Sequence, residues 1–192
     1  MDNEQLYLHI RVVLGIILGL GITKLLSGIT LLIEKPTRYR WSWLHMSWVV
    51  WVLLSIVTFW WWEAGLTQVR HWTFGTYLFI IAYASLYYVL ATFLFPGDVG
   101  EHGSYEGYLM HRRGAFFGLI AAITLIDLVD TAIKGNSRWH LLGEAYAIHA
   151  VLMLLIALIG WRAKDPRVQV LLAGIALLYL VGYYVIQYVL AA

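Results

Sequence analysis

The sequence predicts an all-α polytopic transmembrane bundle of six spans, forming a single domain over residues 1–192. Three observations carry this reading. Hydrophobic residues make up 61% of the chain and charged residues 12%, whereas soluble domains hold about 45–50% and about 25%. The apolar residues gather into runs near the ~20 residues that carry a helix across a hydrocarbon core about 30 Å thick. All three prolines, Pro36, Pro96 and Pro166, fall between those runs, where a missing N–H and a fixed φ do least harm.

The first span, 6–33, follows the acidic stretch MDNEQL. Its apolar run is too long for the h-region of a signal peptide, so a retained helix is expected. Gly15, Gly19, Thr23 and Ser27 recur at four-residue steps, a pattern that lets helix backbones approach closely. Lys24 lies well inside this span. Its four-carbon stem can snorkel to the interface, or its ammonium can pair with an acid inside the bundle.

The second span, 41–62, carries Trp41 and Trp43 at one end and Trp60, Trp61 and Trp62 at the other. The FWWWEA stretch reads as an interfacial girdle, while Trp48 and Trp51 lie deeper and read as packing residues. The third and sixth spans, 73–95 and 168–190, bear Tyr83, Tyr87 and Tyr88, and Tyr179, Tyr183, Tyr184 and Tyr188. These read chiefly as packing residues whose hydroxyls find local partners, with a phenol-lined polar path as the second reading.

The fourth span, 108–133, contains LIDLVDT. At about 100° per residue, Arg113, Thr124, Asp127, Asp130, Thr131 and Lys134 fall on one face, and Gly114, Gly118 and Ala122 on another. One face is expected to pack and the other is polar. A charged carboxylate at mid-membrane costs at least about 2.5–3.5 kcal/mol and normally faces protein or water. Both aspartates lie toward one end of the span, which keeps open a pair simply wetted at the interface. In the fifth span, 142–161, Glu144 and His149 stand near the same end, and His9 near the matching end of the first. Together with the aspartates they suggest a cluster able to carry protons or hold a cation.

The first, third and fifth connections and adjoining helix ends hold Lys35, Arg38, Arg40, Arg112, Arg113, Arg162, Lys164 and Arg167, against Arg70, Lys134 and Arg138 in the even connections. Eight against three places the odd connections, the basic face, in the cytoplasm and both termini outside. In a Gram-negative host this means a multi-pass protein of the inner (plasma) membrane with periplasmic termini. YLHIRVVLGIILGLGIT at 7–23 also aligns with YLMHRRGAFFGLIAAIT at 108–124, matching at six of 17 positions. Three helices per half would make two inverted halves, a design found in transporters.

The absence of cysteine excludes disulfides, thiolate metal sites and a cysteine nucleophile. No HExxH or helical His-x-x-x-His pair marks a metal site, and no nucleophile elbow marks an enzyme. Neither a metal, a cofactor nor a catalytic residue is therefore expected. The formal charge of +2 is spread over the loops, which argues against a nucleic-acid partner. The expected partners are membrane lipid, a small ion or solute, and a second copy of the chain meeting exposed small-residue stripes.

GITKLLSGI, FWWWEA, TFGTYLF and LIDLVDT, in that order over most of the chain, resemble an uncharacterised group of bacterial six-helix membrane proteins of about 200 residues. The resemblance implies no activity. The size is also similar to that of small six-helix potassium channels related to lysosomal channels, but their Phe-Ser-Asp filter motif is absent from the first span. From the residues themselves, the leading expectation is a channel or ion/proton-coupled transporter using polar faces on spans one and four. Its candidate pathway residues are Asp127, Asp130, Lys24, Glu144, His149 and Arg113, and its packing residues are Gly15, Gly19, Gly114 and Gly118. The alternative is a non-transporting scaffold, sensor or complex subunit.

Overall fold

A computed structural model describes residues 3–69 and 72–186. Among these the chain is helical without strands, in the order α1 (Asn3–Glu34), α2 (Trp43–Trp62), α3 (Phe74–Leu94), α4 (Tyr105–His111), α5 (Arg113–Ile133), α6 (Asn136–Arg162) and α7 (Pro166–Val185). Six helices are long and apolar enough to cross a membrane. The chain is thus a multi-pass membrane protein. Its outer surface is correspondingly apolar, with Val12, Ile16 and Leu20 of α1 and Leu171, Ile175 and Leu178 of α7 exposed where a bilayer would cover them.

Helix starts follow from short polar side chains that satisfy orphan N–H groups. Ser42 accepts from the His45 N–H, Thr73 from Thr76, Ser104 from Gly107, and Asp165 from Arg167, with Pro166 in the first turn of α7. Two features interrupt the expected spans. The fourth is divided at Arg112, whose φ of −94° and ψ of 12° separate α4 from α5. Near the start expected for the fifth, Gly143 takes φ 61° and ψ −160°, a combination open essentially to glycine alone. A helical segment from Asn136 therefore precedes the break. The expected end of the sixth span, Tyr188 and Arg70 lie outside the described residues.

The most extensive pairings are α5 with α6, α1 with α3, and α2 with α7, and α2 also meets α1 and α3. Equivalent pairs in the two halves are not alike: α1 packs broadly on α3, whereas α5 and α7 share no comparable interface. This pattern gives the inverted repeat no support. α1 and α5, which carry the polar faces expected on spans one and four, form no substantial interface with each other.

Close approach occurs at two of the four expected glycines and is tightest at two others. A Cβ on Gly15 would lie 3.0 Å from the Trp60 ring and one on Gly114 3.1 Å from Trp161 Nε1, but at Gly19 and Gly118 it would meet nothing within 4 Å. Gly19 and Gly118 thus take part in no close approach within the chain. The tightest places are Gly28, covered by the Phe95 ring, and Gly160, covered by the Phe117 ring.

Trp48, Phe116 and Phe117 are buried and meet edge-to-face, with centroids 5.2–5.3 Å apart. They sit within the first two turns of α2 and α5, the ends nearer the basic face. That half of the bundle is filled by rings.

Candidate functional site

In the other half, α2, α3, α5, α6 and α7 line a partly open cavity of about 60 Å³ with Asp127 in its wall. Aromatic rings form much of the rest, including Phe59, Trp62, Tyr83 and Tyr87. Asp127 stands six residues before the end of α5, which at 1.5 Å per residue is about 9 Å inside the span. Its two oxygens are held by phenols from different helices. Tyr83 OH donates to Oδ1 at 3.1 Å, and Tyr146 OH donates to Oδ2 at 2.8 Å. A phenol has one proton, so with that proton on Asp127 the Thr131 hydroxyl, 2.9 Å away, donates to Tyr146 in turn. Tyr146 also stacks on Trp62 at 5.8 Å between centroids and meets Trp139 edge-on at 5.4 Å. The carboxylate is thereby fixed against rings from α2, α3 and α6.

One helical turn on, a second polar group is closed off. Lys134 Nζ lies 2.5 Å from Asp130 Oδ2 and 3.0 Å from Glu63 Oε1. Relative exposures are 0% for Asp130, 3% for Glu63 and 2% for Lys134, so water does not dilute their attraction. Glu63 is brought there because α2 passes directly into the 3-10 turn Glu63–Gln68, turning the residue after Trp62 inward. Glu63 Oε2 and Asp130 Oδ1 have no hydrogen-bond partner among the described residues. Arg138 lies 4.5 Å over the Trp62 ring, next to Gly65, and closes this end with a cation–π contact.

The structure brings together three of the six expected pathway residues. Asp127 and His149 share the cavity, and Asp130 adjoins it. The His149 Nδ1 is 3.2 Å from Tyr179 OH and its ring stacks on Tyr183 at 4.3 Å, so the imidazole is placed by α7 and not by Asp127. The remaining three lie elsewhere. Glu144 is exposed on α6, Arg113 bonds to the Met110 carbonyl at 2.9 Å near the basic face, and Lys24 is half-buried on α1. His9, stacked on Tyr77 at 6.4 Å, is also outside the cluster.

Arg11 of α1 lines a separate cavity with Trp60 and Glu63. The interfacial-wetting view of the aspartate pair fails at Asp130, which is fully buried and ion-paired. Trp60 and Trp61 are exposed as a girdle requires, but Trp62 points inward. Sequence reasoning missed Glu63 because it follows three tryptophans at an apparent interface. Lys134 on the polar face of the fourth span was the available hint that an additional acid had to be nearby.

No group of three or more metal-ligating side chains occurs among the described residues. No protein family, curated protein or solved structure matches the chain.

Proposed function

We propose that the protein is a small channel or ion/proton-coupled transporter whose working site is the cavity at Asp127. The observation that carries this reading is the contrast between its buried acids. Asp130 and Glu63 share Lys134, but Asp127 has only phenols for partners and lines a cavity walled largely by aromatic rings. A carboxylate inside a membrane span, facing a cavity and lacking a salt bridge, suits binding or relay of a positive charge. The Glu63–Lys134–Asp130 group then serves as a rigid wall that fixes the end of α5 against α2.

In this reading the membrane is a bacterial inner membrane, the termini face outside, and the cavity belongs to the outer half. The distribution of basic residues supports that orientation. The ring layer of Trp48, Phe116 and Phe117 stands between the cavity and the cytoplasm, as expected of a state closed on that side. The same layer favours the second reading, a scaffold or subunit that conducts nothing.

Flux across liposomes under an imposed pH or ion gradient separates the two. Wild-type protein should give flux, and Asp127→Asn should abolish it or change its pH dependence while folding normally, because the amide keeps the shape without titrating. Flux unchanged in Asp127→Asn removes the residue from the mechanism. Absence of flux from the wild type favours the scaffold.

A further inference from the structure

We infer that the Asp127 cavity binds a small primary ammonium cation of the size of methylammonium. The inference rests on the transport reading and names its substrate class. Among the described residues no cation lies within ion-pair distance of Asp127, and the nearby Lys134 is engaged by two other carboxylates. A positive ligand would supply the missing partner.

The donor and acceptor pattern narrows its chemistry. Ser55 donates its one hydroxyl proton to the Trp51 carbonyl at 2.8 Å, and Thr124 donates its own to the Ile120 carbonyl at 2.9 Å. Both line the cavity, and each oxygen retains acceptor capacity after its proton is committed. A carboxylate and two hydroxyl acceptors offer the kind of wall that the three N–H donors of a primary ammonium require. The lining includes Phe59, Tyr83 and Tyr87, ring types whose faces attract an ammonium by cation–π interaction.

The cavity volume also bears on the size and hydration of the ligand. It is about 60 Å³, several times the ~10–15 Å³ that one water needs by the same measure, so a small ion enters together with a few waters. Trp51 and Trp62 are among the lining residues, and their indole N–H groups are buried without a hydrogen-bond partner among the described residues.

Calorimetric titration of the purified full chain with methylammonium chloride, potassium chloride, sodium chloride or tetramethylammonium chloride at constant ionic strength tests this. Methylammonium should bind at least about tenfold more tightly than the other three, a difference of about 1.4 kcal/mol. Asp127→Asn and Thr124→Val should each weaken it by at least about tenfold with melting temperatures retained. Should Asp127→Asn fail to fold, Thr124→Val still decides. Equal affinity for potassium, or methylammonium binding indifferent to Thr124→Val, overturns the proposal. Methylammonium binding without flux supports this inference and removes the transport reading; proton flux without methylammonium binding does the reverse.

Discussion

Lys134 is the residue on which the buried charges depend. Its ammonium is the one cation within ion-pair distance of Asp130 and Glu63 among the described residues. Lys134→Met would leave two acids facing each other out of water, and loss of one member of such a group typically costs about 3–5 kcal/mol. Thermal unfolding in detergent should show a large fall in melting temperature. Neutralising the whole group with Glu63→Gln, Asp130→Asn and Lys134→Met should recover most of it; a triple variant as unstable as the single one would show that ion pairing is not what holds the group. Asp127 was legible as a residue because helical periodicity put it with Thr124 and Thr131 on one face. Glu63 was not, since its partner is 71 positions away and the fold of a turn after Trp62 decides where it points. Lys24, Glu144 and Arg113 were grouped with the site by sequence position and approximate depth, which do not say which neighbour a side chain faces.

Among the elements, spans were easier to recognise than their contacts. Apolar length and proline placement are properties of each segment alone, so all six spans could be located from composition. The break at Arg112 changes no hydropathy and left no such mark. Four-residue glycine spacing shows that a helix can be approached, without saying by what. At Gly28 and Gly160 the approach comes from a phenylalanine ring, and at Gly118 from nothing within 4 Å. Gly28→Leu and Gly160→Leu should therefore each lose about 1–3 kcal/mol through overpacking, while Gly118→Leu should unfold close to the wild type. Melting curves of the three variants check this, and a larger loss at Gly118 than at Gly160 would contradict the packing described.

The whole molecule divides into a ring-filled half toward the basic face and a polar half around Asp127. Orientation can be tested directly, because the chain has no cysteine and accepts single reporter thiols. Arg38→Cys should react with a membrane-impermeant reagent only after cells are opened; labelling in intact cells would reverse the assignment. If the site works as proposed, water reaches the chamber at Asp127 and is held off from the basic face by Trp48, Phe116 and Phe117. Hydroxyl-radical footprinting in liposomes measures it, because radicals generated from water modify side chains beside that water. Oxidation should be high at Tyr83, Tyr146 and Trp62 and low at Trp48, Phe116 and Phe117. Equal protection of both groups, or stronger modification of the ring layer than of the chamber, would contradict it.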